Sequence, residues 1–200
     1  GTQNLTSLLK KTLSPDSIAF LQLIADHASQ MKTPVFIVGG FVRDLILERP
    51  GLDFDIVVEG DAIEMAKSLQ IKYKGKISTH KRFGTAKWII KNNQTLTIDC
   101  SFALLEIHPS GLPESVDFIS ARTEFYDFPT ALPQVERSSI KLDLHRRDFS
   151  INTMALRLDG HHFGELYDYW GGLEDLNEGF IRVLHSLSFV DDPTRLIRAV

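Results

Sequence analysis

Hydrophobic residues at helical and strand spacing predict short helices and strands in the first third of the chain. The triplet Ser14-Pro15-Asp16 is typical of a helix start, and apolar residues then recur every three or four positions until Pro34. The pattern that follows predicts an apolar strand, a helix, a second strand and another helix, at residues 35–38, 41–48, 54–58 and 61–69.

The remaining pattern is less regular. Two runs typical of strands, at residues 86–90 and 95–98, flank Asn92-Asn93, a pair that suits a hairpin turn. Further along, we expect a strand, an extended loop and a helix, at residues 116–121, 126–139 and 148–158. Hairpins mixed irregularly with helices favour an α+β fold over a doubly wound parallel sheet.

Composition and charge are those of an ordinary globular protein. Of the 200 residues, 43% are hydrophobic and 24% are charged, and the net charge is −4. Because this charge gives no overall attraction to nucleic acids, any basic surface patch has to be local. Cys100 is the only cysteine, so we expect no internal disulfide and a reducing, cytoplasmic compartment, and no apolar run approaches the length of a membrane span.

One candidate for a local surface is the basic tract from Lys67 to Lys91. It contains eight lysines and arginines and no acidic residue. We expect Lys72, Lys74 and Lys76 to share one face of a strand. The tract is either the solvated face of an edge strand, which discourages aggregation, or a contact surface for a phosphate backbone.

Residues 37–58, IVGGFVRDLILERPGLDFDIVV, combine two features of phosphate and metal chemistry. The pair Gly39-Gly40 lies between a strand and a helix, where backbone N–H groups can approach a phosphate closely. Asp53 and Asp55 are two positions apart on a strand, so they project from the same face, roughly 7 Å apart at the backbone. Because paired carboxylates hold hard divalent cations, the segment suggests nucleotidyl transfer.

Two-metal nucleotidyl transfer usually needs a third carboxylate from a neighbouring strand. Two residues qualify, Asp99 in LTIDC and Asp117 in SVDFISARTE. A lone D-x-D is more often part of a surface strand or turn, but the upstream glycine pair makes the metal-binding interpretation the stronger one.

Two further clusters contain residues suited to nucleotide binding. In HRRDFSINTMAL, Arg146, Arg147 and Asp148 stand at a predicted helix start, and Asn152 follows one turn later. Guanidinium groups bind phosphates in bidentate geometry, and an Asp and an Asn can read a ribose. The alternative is a salt-bridged helix N-cap.

The last ten residues, DDPTRLIRAV, predict a helix that has just begun, so we expect the natural chain to continue. Asp191 or Asp192 caps this helix, and Arg195 and Arg198 follow along it. An Asp and an Arg one turn apart offer an acceptor and a donor fork that can pair with a base edge. The alternative is a common, weak ion pair at a helix start.

The motifs IVGGFVRD with LDFD, RRDFSIN, YDYWGGLEDL with IRVLH, and DDPTRLIRA occur in this order along the chain. Together they resemble the class II tRNA nucleotidyltransferases, which are the CCA-adding enzymes, the A-adding enzymes and bacterial poly(A) polymerases. The resemblance covers residues 35–200. It implies a nucleotidyltransferase head domain of the polymerase-beta-like fold, with a mostly antiparallel sheet flanked by helices and the start of a helical neck.

The resemblance also implies domains, partners and a cofactor. It implies a lead-in helix or linker, the catalytic head and a truncated neck, at residues 1–33, 34–165 and 166–200. It further implies that Mg²⁺ is the cofactor, that ATP and CTP are substrates, and that the 3′ end of tRNA is the acceptor.

Site residues follow from their positions in the motifs. The resemblance assigns metal-binding catalytic carboxylates to Asp53, Asp55 and Asp117, and it favours Asp117 over Asp99. It assigns nucleotide contacts to Gly39, Gly40, Arg43, Arg147, Asp148, Asn152, Asp192, Arg195 and Arg198. Asp192 and Arg195 would act as the amino-acid template that selects ATP and CTP.

The chain departs from the family pattern at Asp191, where the family usually has Glu, and at residues 95–113, which suggest an insertion. One alternative function is poly(A) tailing of other RNAs. Another is RNA binding by a degenerate, non-catalytic head, but this alternative predicts that an essential acid or arginine is missing, and none is. A Rossmann site would need a later glycine after Gly39-Gly40. We expect no structural metal, because no convincing set of zinc ligands is formed by His80, His145, His161 and His162.

Overall fold

The computed structural model describes residues 2–90, 95–100, 103–125, 131–132 and 134–184. The helices in these ranges are α1 (Thr6–Thr12), α2 (Pro15–Gln30), α3 (Gly40–Ile46), α4 (Ala62–Tyr73), α5 (Ile140–His145) and α6 (Gly172–Glu178). The strands are β1 (Val35–Val38), β2 (Phe54–Val58), β3 (Lys76–His80), β4 (Thr85–Ile89), β5 (Leu96–Cys100), β6 (Ala103–Ile107), β7 (Ser115–Ser120), β8 (Arg122–Phe125), β9 (Gln134–Arg137), β10 (Ala155–Arg157) and β11 (Glu165–Tyr167). Single 3₁₀ turns occur at Pro109–Gly111, Ser150–Asn152 and Gly160–His162.

Seven strands form one sheet in the order β11-β10-β1-β2-β7-β4-β3, and β5-β6 and β8-β9 form two small separate hairpins. Within the seven-stranded sheet, β2 and β7 run parallel and the other neighbouring pairs are antiparallel. The expected α+β fold with a mostly antiparallel sheet is therefore confirmed.

The main core lies between one face of this sheet and helices α2 and α4. Phe54 of β2 and Trp88 of β4 are fully buried there, and Phe20 of α2 stacks on both rings at centroid distances of 6.2 and 6.0 Å. Because side chains alternate along a strand, the neighbours of these residues, including Asp55 and Lys87, face the opposite side. That opposite face is where the candidate chemistry is found.

The first two helices are part of this core. Leu9 and Phe20 are fully buried, and the Ser17 hydroxyl donates a hydrogen bond of 2.8 Å to the carbonyl oxygen of Gly111. The boundaries after residues 33 and 165 stay predictions, and the second of them would fall within β11. In the part of the chain that the structure covers, no helix is both long and apolar enough to cross a bilayer.

The helix predicted over residues 148–158 is wrong. A 3₁₀ turn at Ser150–Asn152 is followed instead by β10, which pairs with β1 through Val38 and Ala155. Ala155 and Leu156 are both fully buried because β10 has packed residues on both faces of the sheet. An apolar run buried on both sides has no strand period, so it cannot be distinguished from a helix by pattern.

Three other predictions about strands are wrong. The strand β4 pairs with β3 and β7, whereas β5 pairs with β6, so residues 86–98 do not form a hairpin; the turn pair Asn92-Asn93 lies outside the described residues. Lys72 belongs to α4, and Lys74 ends that helix with a φ of 69°, so only Lys76 lies on a strand. The loop predicted over residues 126–139 includes β9.

Candidate active site

Two of the predicted carboxylates lie side by side in the sheet. Asp55 on β2 and Asp117 on β7 are register partners on the parallel strands, so their backbones are about 4.8 Å apart and their side chains share a face. Asp53 lies just before β2 and is exposed. Asp99 lies on β5, in a separate hairpin, so Asp117 rather than Asp99 adjoins Asp55.

The pKa of Asp55 reflects the negative charges of the two other carboxylates, Asp53 and Asp117. Burial raises the pKa of Asp55, and the negative charges of Asp53 and Asp117 raise it further, while Arg147 and Lys87 act in the opposite direction. A carboxylate with these neighbours is stabilised by any cation that binds between them. The arrangement therefore favours cation binding at the ends of β2 and β7.

Lys87 is a residue of this cluster that the sequence analysis did not single out from the basic tract. It is the register partner of Asp117 on β4, and its Nζ lies 3.8 Å from Asp117 Oδ1. Both side chains are substantially exposed, at 50% and 39%. The pairing depends on strand register between residues 30 positions apart, which no local pattern reveals.

The glycine pair turns the chain from β1 into α3. Gly39 has a φ of 76° and a ψ of −143°, a conformation that is essentially restricted to glycine. A Cβ at Gly39 would lie 4.0 Å from Nη1 of Arg147, and one at Gly40 would lie 3.2 Å from Nη2 of Arg43. Two guanidinium groups therefore lie next to the backbone of the glycine pair, which suits an anionic ligand.

Arg43 is positioned by polar partners on both sides. Its Nε donates to Asp44 Oδ1 at 3.0 Å, and its Nη1 donates to Asn152 Oδ1 at 3.2 Å. Asn152 comes from the 3₁₀ turn after α5, so the structure brings together two predicted site residues that are 109 positions apart.

Arg147 depends on Asp143, a residue that the sequence analysis did not select. Asp143 is fully buried on α5; its Oδ1 accepts a hydrogen bond from Arg147 Nη2 at 3.3 Å, and its Oδ2 accepts one from the backbone N–H of Arg122 at 3.0 Å. Nε of Arg146 lies 3.6 Å from the same carboxylate. Burial lowers the pKa of Arg147, and the charge of Asp143 opposes that shift. The spacing of four between Asp143 and Arg147 was an available signal, although Arg147 lies just beyond the end of α5.

Asp148 is placed differently from its predicted position. Its carboxylate accepts a hydrogen bond of 2.9 Å from the N–H of Phe149, and its carbonyl oxygen accepts one of 3.1 Å from Leu184. Because Asp148 does not start a helix, the predicted one-turn relation to Asn152 is wrong. The terminal cluster with Asp192, Arg195 and Arg198 lies outside the described residues.

A cleft of about 510 Å³ opens beside Asp55 and Asp117 on the outer face of β7, β4 and β3. It is within the usual size range of small-ligand sites, about 300–1,000 Å³. Its lining includes Lys87, Ser78 and His80. The carboxylates thus lie between this cleft on one side and the glycine pair with its arginines on the other.

The donor set fits Mg²⁺ in chemical type. In the described ranges, no three side chains of His, Cys, Asp or Glu are already gathered as a closed metal site. Mg²⁺ usually binds through one or two carboxylates together with water and substrate phosphates. Adjacent carboxylates at Asp55 and Asp117, with Asp53 close enough to raise the pKa of Asp55, match that mode of binding.

Comparison with known proteins gives one family and several close relatives. The family described as Poly A polymerase head domain matches residues 35–182. The chain is 42% identical over 193 residues to the A-adding tRNA nucleotidyltransferase of Geobacter sulfurreducens, covering 96% of this chain and 20% of that protein. It is 40% identical over 199 residues to the A-adding tRNA nucleotidyltransferase of Halalkalibacterium halodurans, covering 100% of this chain and 42% of that protein.

Solved structures agree with this similarity. The Thermotoga maritima CCA-adding enzyme complexed with tRNA has a TM-score of 0.77 and 39% identity, covering 99% of this chain and 40% of that one. A CCA-adding enzyme in complex with ATP has a TM-score of 0.78 and 40% identity, again covering 99% and 40%. The chain spans less than half of the length of each of these proteins.

Proposed function

Because the chain belongs to the family of poly A polymerase head domains, we propose that it is the catalytic head of a template-independent RNA nucleotidyltransferase acting on tRNA. It adds C, A or both to the tRNA 3′ end. The observation that supports this best is the pair Asp55 and Asp117, adjacent on parallel strands and flanked by the glycine pair with its two arginines. The relatives named for A addition and the neighbours complexed with tRNA or ATP add support.

In the proposed reaction, the 3′ hydroxyl oxygen of the RNA attacks the α-phosphorus of CTP or ATP. A new P–O bond forms, the bond between the α-phosphorus and the bridging oxygen breaks, and pyrophosphate leaves with that electron pair. The proton of the hydroxyl passes to water. Arg43 and Arg147, beside the backbone of Gly39 and Gly40, bind the triphosphate and hold it in line with the attacking oxygen.

Mg²⁺ is the proposed cofactor, and Asp53, Asp55 and Asp117 are the residues that would hold it. When bound, it neutralises triphosphate charge and favours the ionised hydroxyl. The raised pKa of Asp55, which follows from burial and from its acidic neighbours, is consistent with a site that needs positive charge.

The remaining assignments complete this proposal. Asn152, which contacts Arg43, and Asp148 act near the ribose. Asp192 and Arg195 select the base, and Arg198 adds a contact to the phosphate or base. The head corresponds to residues 34–165 and the neck begins in residues 166–200, in a protein that works in the cytoplasm.

A second function, poly(A) tailing of other RNAs, is favoured by the description of the matching family. It uses the same carboxylates and arginines. The two functions differ in the acceptor and in product length, because a tailing enzyme continues to add A where a tRNA-repairing enzyme stops.

Gel-resolved extension of a tRNA that lacks its last three nucleotides tests the proposal, with the protein at its natural length and each NTP offered alone. We expect a few nucleotides of C, A or both to be added, and Asp55→Ala to abolish addition. Asp26→Ala, which removes an exposed carboxylate on α2, is the control and should retain full activity. Undiminished transfer by Asp55→Ala would contradict the proposal.

A further inference from the structure

Lys87 stands at one end of a row of charged side chains on the outer face of the sheet. Asp55, Asp117 and Lys87 are consecutive register partners on the neighbouring strands β2, β7 and β4. Because register partners share a face, their side chains lie next to one another. Arg147 lies on the other side of Asp55, beside Gly39 at the end of β1. The two carboxylates therefore lie between a guanidinium group and an ammonium group.

The charge of Lys87 compensates carboxylates that otherwise repel each other. Like charges directly opposite each other on neighbouring strands are destabilising, and Asp55 and Asp117 are such a pair. Nζ of Lys87 lies 3.8 Å from Oδ1 of Asp117, and the charges of Arg147 and Lys87 both act on Asp55. Lys87 is the one lysine among the described residues that line the cleft. It therefore supplies on the β4 side part of the positive charge that a bound metal would supply.

The contact between Lys87 and Asp117 is easily broken. Its 3.8 Å separation is longer than a hydrogen bond, and both side chains are substantially exposed. Exposed ion pairs of this kind contribute little to stability. The ammonium group is carried on a flexible four-carbon stem, so it can turn into solvent without leaving a buried group unpaired.

A divalent cation and the Lys87 ammonium compete for the same carboxylate. Mg²⁺ binds carboxylate oxygens at about 2.1 Å and needs near-octahedral geometry around it. A metal bound to Asp117 would therefore lie within a few ångströms of Nζ in the position that the structure shows. The two positive charges repel each other, so metal binding at Asp117 requires Lys87 to move away.

We propose that Lys87 is a resident counter-cation of the active site, which pairs with Asp117 when no metal is bound and is displaced when a divalent cation binds. This inference rests on the proposed function, since it takes Asp117 as a metal ligand. Lys87 thereby lowers the affinity of the carboxylates for free divalent cations. It is a positioning residue, because it acts through the carboxylate of Asp117.

The expected size of the effect follows from Coulomb's law. At about 6 Å in water, repulsion between a unit charge and a divalent ion is equivalent to about a tenfold change in the dissociation constant. Because the Lys87 side chain is half exposed and can turn away, tenfold is the upper end of the range. We expect the charge of Lys87 to weaken binding of a divalent cation by about three- to tenfold.

The sheet supplies a matched control for this charge. Lys76 on β3 is exposed, and its register partner Ile89 is two positions from Lys87 on β4, so both lysines lie on the outer face. Lys76 is two strands and two residues away from Asp117, roughly 12 Å along the sheet. This separation exceeds the Debye length of about 10 Å in 0.1 M salt. Lys76→Met and Lys87→Met change the net charge equally and differ only in place.

Calorimetric titration with Mn²⁺ tests the inference in the protein at its natural length, without nucleotide and in 0.1 M salt. We expect Lys87→Met to lower the Kd for Mn²⁺ about three- to tenfold, whereas Lys87→Arg, which keeps the charge, should bind Mn²⁺ no more tightly than wild type. Lys76→Met should change the Kd less than about twofold. In 1 M salt, where the Debye length is about 3 Å, the advantage of Lys87→Met should also shrink below about twofold. The Tm of metal-free Lys87→Met should stay within about 4 °C of wild type, because the broken ion pair is exposed.

The outcomes separate this inference from the proposed function. If wild type binds Mn²⁺ and Lys87→Met binds it with the same Kd, Lys87 is not a counter-cation and the proposed function is untouched. Equal tightening by Lys87→Met and Lys76→Met would overturn the inference as well, because it would reflect net charge alone. If neither wild type nor Lys87→Met binds Mn²⁺, both the proposed metal site and this inference are refuted.

Discussion

Replacing Asp143 by Asn tests whether one buried carboxylate positions the arginines of the candidate active site. The side chain of Asp143 is fully buried, whereas those of Arg146 and Arg147 are 23% and 19% exposed. An Asn side chain of the same shape can still accept the hydrogen bond from the N–H of Arg122. It removes the negative charge that the two guanidinium groups share.

The magnitude follows from the burial of the partners. Breaking a fully buried ion pair costs about 3–5 kcal/mol, and breaking an exposed one costs about 0.2–1 kcal/mol. Because the side chains of both arginines are still about one-fifth exposed, the cost should lie between these two values. We expect Asp143→Asn to lower the free energy of unfolding by about 2–3 kcal/mol. This corresponds to a fall in Tm of about 4–12 °C for a chain of this size.

Urea unfolding measures the stability, and steady-state kinetics measures the KM for ATP. We expect that KM to rise about tenfold, because the Asp143 carboxylate orients the guanidinium group of Arg147 beside Gly39. Asp44→Asn is the stability control, since Asp44 also pairs with an arginine but is 39% exposed, and it should cost less than about 1 kcal/mol. An unchanged KM for ATP together with lowered stability would show that Asp143 is only structural, and unchanged stability would refute the electrostatic reasoning.

Three further predictions follow from the structure. Asp53→Asn should leave Tm within about 1 °C, because Asp53 is exposed, but weaken Mn²⁺ binding measured by calorimetry at least tenfold; unfolding would instead indicate a structural role. Gly39→Ala, at a φ of 76° and a ψ of −143°, should lower the free energy of unfolding by about 1–3 kcal/mol and weaken ATP binding. The control Gly171→Ala, at a φ of 74° and a ψ of 26° with open space around it, should lower the free energy of unfolding by about 1 kcal/mol and leave ATP binding intact. Equal ATP affinities of the two variants would contradict this prediction. Hydrogen bonds from Arg182 lower the pKa of Asp175 in the folded protein. The stabilisation by this carboxylate is therefore present above the unfolded pKa of about 3.9 and is lost as pH falls through the folded value. In urea unfolding, the stability advantage of wild type over Asp175→Asn should shrink below about pH 4, and a constant difference would refute the prediction.

The strands that bring Asp55 to the site were predictable because their local pattern is unambiguous. The run of residues 54–58 is short, apolar and bounded by Pro50-Gly51, and the strand forms where expected. The glycine pair and the exposed Asp53 could likewise be placed, since a strand, a turn and a helix follow each other within a few residues. Local chemistry was sufficient for this half of the site.

The other half depends on contacts between distant segments. The pairing of Asp117 with Lys87 follows from the register of β7 and β4, and the contact between Arg43 and Asn152 joins residues 109 positions apart. Hydrophobic pattern gives neither register nor strand order. It also misassigned β10, because a strand buried on both faces lacks the alternation that identifies a half-buried one.

The central claim is that Asp53, Asp55 and Asp117 hold divalent cations that bridge an incoming nucleoside triphosphate. The most direct measurement is a crystal structure of the protein with Mn²⁺ and ATP or CTP, with anomalous data collected at the manganese edge. The proposal predicts an anomalous peak between Asp55 and Asp117 and triphosphate density beside Gly40 and Arg43. Manganese bound elsewhere, or a triphosphate bound away from these carboxylates, would contradict it.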